Sequence, residues 1–339
     1  MKVTIRDIAK KLNLSIGAIS RALDGYPDIS EETRQRVVQA AQEMGYVPNQ
    51  AARHLRRQKA DAIGYILPAD SARFADPFFS EFIAGLGDEA AAHQLDLVIS
   101  TASPEHELER QLYQTWVQGH KVDGFILNRI RLHDWRVYYL LQTNFPFAAH
   151  EKPLGEWDFP CVETDNRDGV YALVMHIAGQ GYRRIAFVGG PAMLKIQAER
   201  LEGYRVGLAQ AGLLFDPGFV VAGNLTSAMG YQLAMTLLSQ ANPPDAFVCI
   251  NDQTAFGVMH AVHEVGRFVG REIAVAGFDG VQSAGYSQPP LTTLDQPVYE
   301  IARRLLQLLV AEINHQAMSE RQVRLTPELL IRPSTLQEA

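Results

Sequence analysis

From Ala62 onward, short apolar segments alternate with longer amphipathic ones, and this alternation restricts the fold more than any other feature of the chain. The runs 63–67 and 124–127 are typical of buried strands, whereas 78–92 and 253–265 repeat apolar residues at helical spacing. Repeated strand–helix–strand units predict parallel sheets with helices on both faces. About 240 residues of this pattern are more than one doubly wound sheet takes, so we expect two α/β lobes.

The first 46 residues follow a different pattern, with apolar residues at helical spacing in three short segments. Thr4 is a suitable N-cap for the first helix and Ser15 for the second, and only a tight turn separates the two helices. Such a pair predicts a helix-turn-helix head, in which the second helix enters the major groove of DNA. The outward face of that helix is expected to contain Ile16, Gly17, Ser20 and Arg21.

A short basic segment, residues 47–60, follows the head. Asn49 is a suitable cap for a new helix of about two turns, and Ala52 and Leu55 form an apolar pair on one face of it. A helix this short is not stable alone in water. We therefore expect it to fold where two copies of the chain meet in the minor groove of DNA, which predicts a homodimer.

These motifs resemble the LacI/GalR family of bacterial repressors. The resemblance is carried by Thr4–Ala9, Leu14–Leu23 and Tyr46–Leu55, and far downstream by Gly277–Asp279 and Leu291–Pro297. The motifs occur in the family's order and span nearly the whole chain. The resemblance implies a sequence-specific DNA-binding transcriptional regulator, expected to be a repressor, whose affinity for its operator is controlled by a small molecule.

The resemblance also implies the domain organisation, with lobes similar to those of periplasmic sugar-binding proteins. The helix-turn-helix domain is expected to take residues 1–46, and the hinge helix 47–60. The first lobe takes 61–160 and a returning segment, 291–320, while the second takes 161–290 and 321–339. The expected fold class is therefore an all-α head with a hinge helix, followed by two doubly wound α/β lobes.

The expected DNA contacts follow from the family's motif, residue by residue. Ile16, Gly17 and Arg21 match base-contact positions, and Arg21 is suited to donate two hydrogen bonds to guanine. Two copies of Leu55 are expected to wedge into a base step from the minor groove. A dimer that binds in this way requires a pseudo-palindromic operator in double-stranded DNA. The expected contacts are Thr4, Ser15, Ile16, Gly17, Ser20, Arg21, Tyr46, Asn49, Ala52 and Leu55.

A ligand site is expected where the strands of the two lobes end, because ligands of doubly wound sheets bind outside the carboxyl ends of the strands. Carboxylates, amides and an arginine near an aromatic ring suit the hydroxyl groups of a sugar. Phe79, Arg200 and Asp279 also match ligand positions of the family. The expected ligand residues are Asp76, Phe79, Asn128, His150, Arg200, Asn251, Asp252 and Asp279.

Charge is distributed unevenly along the 339 residues, whose formal net charge is −7. Residues 1–60 hold eleven Lys and Arg against six Asp and Glu, so the head together with the basic segment after it carries +5 and the rest of the chain −12. A cationic head on an acidic body is typical of a phosphate-binding module joined to a unit that does not bind DNA. The only cysteines, Cys161 and Cys249, exclude a disulfide framework.

Other function classes lack their motifs. No G-x-G-x-x-G follows a predicted strand and no P-loop motif occurs, so we expect no nucleotide cofactor. His260 and His263 have no evident third ligand, so we interpret them as surface residues and expect no metal. No catalytic set emerges from the spacing, and we expect no enzyme. The N-terminus lacks a signal-like region and no apolar run approaches roughly 18 residues, so we expect a cytoplasmic protein without membrane contact.

The effector is expected to be a neutral sugar, with a glucose-containing oligosaccharide favoured. A purine is best held between two aromatic faces, and Leu225 stands where some family members have such a ring in the second lobe. The alternatives are a purine-responsive, co-repressed regulator and a sugar-metabolising enzyme fused to a DNA-binding head. The residues leave open repressor or activator, and induction or co-repression. Pro327 and Pro333 interrupt the tail, which favours a dimer over a tetramer.

Overall fold

The structure, a computed structural model, describes residues 3–46, 59–68, 76–103 and 107–337. The chain forms two compact units, the head (Met1–Lys59) and the body (Ala60–Ala339). The helices in the described ranges are α1 (Ile5–Leu12), α2 (Ile16–Leu23), α3 (Glu31–Glu43), α4 (Pro77–Ala92), α5 (Glu107–Gln118), α6 (Trp135–Gln142), α7 (Asn166–Gly179), α8 (Lys195–Gln210), α9 (Ser227–Leu238), α10 (Asp252–Glu264) and α11 (Val298–Ile313). The strands there are β1 (Ala62–Pro68), β2 (Asp96–Ala102), β3 (Gly124–Leu127), β4 (Phe147–His150), β5 (Cys161–Thr164), β6 (Ile185–Gly189), β7 (Val220–Ala222), β8 (Ala246–Cys249), β9 (Ala274–Asp279), β10 (Thr292–Asp295), β11 (Gln322–Leu325) and β12 (Glu328–Leu330).

The head is the predicted helix-turn-helix unit. Ile8, Ile19 and Val37, one from each of its helices, have no exposed surface and form the centre of a small core. Ser15 caps α2 as predicted, because its Oγ accepts a hydrogen bond from the N–H of Ala18 at 3.1 Å. Such caps satisfy the backbone N–H groups that the start of a helix leaves unpaired.

The first lobe of the body is built on a six-stranded parallel sheet in the order β11–β5–β4–β3–β1–β2. Helices α4 and α11 cover one face of this sheet, and α5 and α6 cover the other. Strand side chains on both faces are therefore buried, which explains why β3 and β4 are apolar runs without alternation.

The second lobe repeats this plan with a six-stranded sheet in the order β12–β10–β9–β8–β6–β7. Its strands are parallel except β12, which runs antiparallel to β10 at the edge. Helices α7 and α8 cover one face and α9 and α10 the other. The predicted fold class, two doubly wound α/β lobes after an all-α head, is confirmed.

The chain crosses between the lobes three times within the described residues, and the crossings correct the predicted boundaries. The first sheet includes β5, so the first lobe extends beyond residue 160. Residues 291–320 were predicted to return to the first lobe, but β10 pairs with β9 in the second, and only α11 returns. Within 321–339, predicted for the second lobe, β11 pairs with β5 in the first. These short strands contain charged residues, so they lack the apolar run by which a buried strand is recognised.

Helices α4 and α11 approach closely at Gly85. A Cβ added there would lie 2.9 Å from the Cβ of Ala302 and closer still to the backbone oxygen of Tyr299. Gly87, in the same helix, has no atom within 4 Å of the place where its Cβ would be. The packing of the first lobe therefore requires glycine at position 85 but not at position 87.

We predict that Gly85→Ala lowers the free energy of unfolding by about 1–3 kcal/mol, because the two helices must move apart to admit a methyl group. Gly87→Ala is the matched control and should be neutral or stabilising by up to about 1 kcal/mol, since alanine is the better helix former. Urea unfolding followed by tryptophan fluorescence measures both changes, because Trp116, Trp135 and Trp157 all pack in the first lobe. Equal effects of the two substitutions would contradict the close contact.

Candidate effector site and DNA-reading helix

The three predicted base-contact residues on α2 are all exposed. Ile16 is 46% exposed, and Gly17 and Arg21 also face solvent. The Nη1 atom of Arg21 lies 2.8 Å from Oδ2 of Asp28. An exposed ion pair of this kind contributes only about 0–1 kcal/mol, so Arg21 can exchange this partner for a base edge at little cost.

Ser20 was predicted to face outward and does not. It is 5% exposed, and its Oγ donates to Oδ2 of Asp24 at 3.4 Å. The residue directly follows Ile19, which is fully buried in the head core, so its short side chain lies on the covered flank of α2. The structure therefore does not present Ser20 to a base.

Of the other predicted DNA contacts in the head, Ser15 is the N-cap of α2, and Thr4 and Tyr46 lie at the two ends of the head. Thr4 is exposed at the start of α1, where its N–H and hydroxyl both donate to Oδ2 of Asp7 at 2.8 Å. These two hydrogen bonds hold the pKa of Asp7 below its usual value. Tyr46 is half-buried against the head core. The predicted hinge contacts, Asn49, Ala52 and Leu55, lie outside the described residues.

The body contains a cleft between its two lobes. The cleft encloses about 450 Å³ of empty space, including the part open to solvent. Residues at or just after the ends of β3, β4, β8 and β9 line it, so it lies at the carboxyl ends of both sheets, where doubly wound folds bind ligands. The lining residues are Asp76, Phe78, Asn128, Arg129, His150, Glu151, Ile196, Arg200, Leu225, Asn251, Asp279 and Gln296.

On the first lobe, an aspartate and an arginine from different elements form a buried ion pair. Asp76 caps α4, with its Oδ1 accepting from the N–H of Phe78 at 3.1 Å. Its Oδ2 lies 3.3 Å from Nη2 of Arg129. Burial raises the pKa of Asp76, and the charge of Arg129 opposes the rise. Asn128 is buried beside this pair.

His150 ends β4 and is enclosed by rings and a threonine. Its Nε2 lies 3.1 Å from Oγ1 of Thr164. Its ring is nearly parallel to those of Phe78 and Phe82, with centroids 6.5 and 6.4 Å away. Burial, helped by the charge of Arg200, lowers the pKa of His150 to about 3. The imidazole is therefore neutral at physiological pH.

On the second lobe, Arg200 lines the cleft and is 3% exposed. Its Nε donates to Oδ1 of Asn166 at 2.8 Å, and its Nη1 donates to the carbonyl of Ile250. Its guanidinium carbon lies 3.4 Å from the centroid of the Phe278 ring. Burial lowers the pKa of Arg200, while the nearby Asp279 carboxyl opposes this change. These contacts fix the direction in which the guanidinium faces the cleft.

Asp279 ends β9 with a φ of 115°, a value rare for a residue other than glycine. Its Oδ1 accepts from Nε2 of Gln296 at 2.6 Å and lies 3.9 Å from Nη1 of Arg200. Burial raises the pKa of Asp279 to about 7 in spite of the arginine. This carboxyl therefore gains or loses a proton near neutral pH.

Hydrogen bonds at the crossings connect the two sides of the cleft. Thr164, at the end of β5, contacts His150 and donates from its hydroxyl to Oε1 of Gln296 at 3.4 Å. Gln296 directly follows β10 and donates to Asp279. The segments that pass between the lobes thus join a first-lobe histidine to a second-lobe carboxyl.

Backbone hydrogen bonds also join the lobes at the rim of the cleft. The N–H of Leu132 donates to the carbonyl of Met193 at 2.8 Å, and the N–H of Lys195 donates to the carbonyl of Ile130 at 2.9 Å. Ile130 and Leu132 belong to the first lobe, whereas Met193 and Lys195 lie at the start of α8 in the second lobe. The two lobes are therefore in direct contact across the cleft.

Asn251 and Asp252 were both predicted as ligand residues, and the structure separates them. Asn251 lines the cleft and caps α10, with its Oδ1 accepting from the N–H of Thr254 at 3.0 Å. Asp252 has no exposed surface and points away from the cleft. Its Oδ1 accepts from the hydroxyl of Thr293 at 2.6 Å and its Oδ2 from the N–H of Val281 at 2.9 Å. Asp252 therefore joins the start of α10 to β10 and to the segment that follows β9.

Phe79, predicted at the ligand, is replaced at the cleft by Phe78. Phe79 is 3% exposed, and its ring centroid lies 4.6 Å from the guanidinium carbon of Arg129. Consecutive residues of a helix point in different directions, so only one of the two rings faces the cleft. The ring of Phe79 instead packs against the guanidinium group of Arg129.

The predicted set also omitted several lining residues. Arg129 and Glu151 directly follow the predicted Asn128 and His150, so their position after a strand was an available signal. No sequence signal marked Ile196 or Gln296 as a lining residue. Ile196 is an ordinary helical isoleucine, and Gln296 faces the cleft only because the chain crosses between the lobes there.

Neither a metal site nor a membrane span is found in the described ranges. No three His, Cys, Asp or Glu side chains come together there to hold a metal ion. His260 and His263 are exposed on α10, and Nε2 of His260 lies 3.8 Å from Oε2 of Glu264. No helix in these ranges is long and apolar enough to cross a membrane.

A helix-turn-helix head joined to a two-lobed body with a polar cleft defines a DNA-binding regulator of the effector-binding type. Residues 4–49 match the family model described as bacterial regulatory proteins, lacI family. Residues 174–335 match the model of the periplasmic binding protein-like domain.

The chain resembles its relatives along nearly its full length. The HTH-type transcriptional regulator AglR of Rhizobium meliloti (strain 1021) is 32% identical over 99% of this chain and 95% of its own length. The structure of a transcriptional regulator CelR–cellobiose complex is 28% identical with a TM-score of 0.76, covering 98% of this chain and 100% of its own. The lac repressor dimer bound to operator and the anti-inducer ONPF is 25% identical with a TM-score of 0.86, covering 99% and 100%. The chain belongs to the lacI family of bacterial regulatory proteins and is a DNA-binding transcriptional regulator, not an enzyme.

The buried, neutral His150 predicts a pH effect on stability. Its pKa is about 3 in the folded protein and about 6.5 in the unfolded chain. Protons therefore favour unfolding as the pH falls below 6.5, and this group costs about 2 kcal/mol of stability between pH 7 and pH 5. The asparagine of His150→Asn does not titrate, so between pH 7 and pH 5 this variant should lose about 2 kcal/mol less free energy of unfolding than the wild type. Urea unfolding of both proteins at the two pH values measures this, and parallel losses would show that His150 is not held neutral.

Proposed function

We propose that the chain is a cytoplasmic repressor that binds a pseudo-palindromic operator as a homodimer and is controlled by a neutral sugar in the interlobe cleft. A glucose-containing oligosaccharide is the favoured effector. The observation that carries the proposal is that hydrogen-bonding side chains from both lobes line one cleft, next to the crossings that connect the lobes.

Two relatives support the two halves of this proposal. CelR was solved as a complex with cellobiose, and the lac repressor was solved as a dimer on its operator. Each aligns with at least 98% of this chain, so the head and both lobes have counterparts in both proteins.

The charges of the cleft favour a neutral effector. Each of its two arginines is already near a carboxyl group, with Arg129 at 3.3 Å from Asp76 and Arg200 at 3.9 Å from Asp279. A phosphorylated or carboxylated ligand would have to displace these pairs, whereas hydroxyl groups can both accept from and donate to them.

The aromatic rings of the cleft favour a sugar over a purine. Phe78 and His150 lie nearly parallel, but they are 8% and 5% exposed, so protein atoms already cover most of their faces. On the second lobe, the apolar lining comes from Leu225 and Ile196. A purine is bound best between two open ring faces, whereas a sugar needs only an apolar surface for its C–H groups.

On the DNA side, we propose that Arg21 reads a guanine, that Ile16 contacts a thymine methyl group and that Gly17 permits close approach. The exposure of all three residues supports this assignment. Two copies of Leu55 are proposed to kink the operator from the minor groove. The positive charge of the head adds binding to phosphates that does not depend on sequence.

Arg200→Ala is expected to abolish sugar binding, because it removes the cleft's second-lobe cation, which donates to Asn166 and faces Asp279. Calorimetry with cellobiose, other glucosides, hypoxanthine and guanine measures binding by the wild type and the variant. Arg205→Ala is the matched control, since Arg205 lies on the exposed side of the same helix. Binding of a purine and of no sugar by the wild type would overturn the proposed effector.

Arg21→Ala is expected to remove operator preference while leaving weak, salt-sensitive binding, because a bidentate arginine–guanine contact is worth roughly 1–3 kcal/mol of discrimination. The operator is first selected from random duplexes with the wild-type protein, and competition binding then compares operator with unrelated DNA. Arg36→Ala loses the same charge on exposed α3 and should keep the preference. If Arg21→Ala kept its full preference for the operator, the proposed contact of α2 with the bases would be wrong.

A further inference from the structure

Glu151 is a cleft carboxyl group that neither a cation nor a backbone donor satisfies completely. It directly follows β4, and its φ of 80° is in the region that favours glycine. Its N–H donates to the carbonyl of Val162 at 2.9 Å, which holds this conformation against the neighbouring strand. Strain of this kind at a cleft residue is typical of functional positions.

The two carboxyl oxygens of Glu151 differ in their surroundings. Its Oε1 accepts from the N–H of Thr164 at 3.1 Å and from Nδ2 of Asn166 at 2.9 Å. Its Oε2 is buried and makes no hydrogen bond to the described residues, although the side chain lines the cleft and is 2% exposed. A buried carboxylate oxygen without a donor is costly, so this atom either carries a proton or binds a ligand.

Among the described residues, no Lys or Arg side chain forms a direct ion pair with Glu151, although the charge of Arg200 interacts with it from a distance. His150 Nε2 is 3.7 Å from its Oε1, but this ring is neutral. The nearby cations pair with other carboxyl groups: Lys152 and Arg324 with Glu163, Arg324 also with Asp165, Lys195 with Glu199, and Arg200 with Asp279. Glu199 reaches the same Asn166 amide as Glu151 and adds a negative charge. Burial, followed by the charge of Glu199, raises the pKa of Glu151 to about 8.

We propose that Glu151 recognises the effector as an uncharged carboxyl group, with its Oε2–H donating a hydrogen bond to an oxygen of the ligand. This inference rests on the proposed function and specifies its ligand further. The effector must present a hydroxyl, ring or glycosidic oxygen to Glu151, not an ammonium group. A neutral glycoside fits this position, whereas an amino sugar would require the ionised carboxylate.

The charge state is tested first, without any ligand, through the melting temperatures of wild type and Glu151→Gln from about pH 5 to pH 9. The folded protein keeps the proton up to about pH 8, whereas the unfolded chain releases it near its usual pKa of about 4.3. The wild type therefore loses stability relative to the variant as the pH rises, and the difference in melting temperature should widen up to about pH 8 and then level off. Glu202→Gln, which removes an exposed carboxyl group on α8, is the control, and its difference from the wild type should not follow this pattern. A constant difference between wild type and Glu151→Gln would overturn the proposal.

The donor role is tested by calorimetry with cellobiose as the probe at about pH 6 and pH 9.5. Wild-type affinity should fall by about tenfold or more between these values, since a proton is lost above a pKa near 8. Glu151→Gln keeps an N–H donor, so its affinity should vary with pH less than that of the wild type, and only as far as the titration of Asp279, whose pKa is about 7, affects binding. Glu151→Leu should bind at least about tenfold more weakly than wild type at pH 6. Tighter binding at high pH, or tighter binding of glucosamine than of glucose, would show a carboxylate and overturn the proposal.

The two tests separate failure of this inference from failure of the proposed function. If cellobiose and the other glucosides do not bind, the proposed effector and the donor role that rests on it are both wrong. If they bind with the same pH dependence in wild type and Glu151→Gln, the effector stands and the role of Glu151 is wrong.

Discussion

Neither lobe of the body is made from one continuous stretch of chain, and the rest of the molecule depends on this interleaving. The chain completes the first sheet with β11 and the second with β12 only after it has crossed between the lobes. A change in the angle between the lobes must therefore act on the crossings at Thr164 and Gln296. Because these side chains contact His150 and Asp279, groups on opposite walls of the cleft respond to the same movement. Ligand contact and lobe orientation are coupled by the path of the chain.

Burial of charge gives this cleft its chemical character. Removing an ion from water costs several kcal/mol, so buried ions need partners. The guanidinium groups of Arg129 and Arg200 have them, whereas burial raises the pKa of Asp279 to about 7 and that of Glu151 to about 8. The cleft therefore balances its charges by proton uptake as well as by pairing. Such a site can exchange hydrogen bonds with a polyhydroxylated ligand without acquiring a net buried charge.

The sequence predicted what depends on local pattern and missed what depends on pairing over long distances. Strands buried on both faces, such as β3 and β4, are apolar runs and were recognised. The edge strands β11 and β12 have polar, partly exposed residues, so nothing local assigns them to a sheet. In the site, residues at strand ends were predictable because the strand fixes their position. To predict that Phe78 lines the cleft, one must know which face of α4 points towards it. To predict Gln296, one must know where the chain crosses between the lobes.

The central claim is that a ligand in the cleft changes the affinity of the head for DNA. Fluorescence anisotropy of labelled operator, measured with and without a saturating amount of the sugar that binds the cleft, tests it most directly. We predict a change in operator affinity of roughly 5–150-fold, with an equal change in sugar affinity when operator is bound, because such coupling is reciprocal. An operator affinity that is unaffected by saturating sugar would contradict the account.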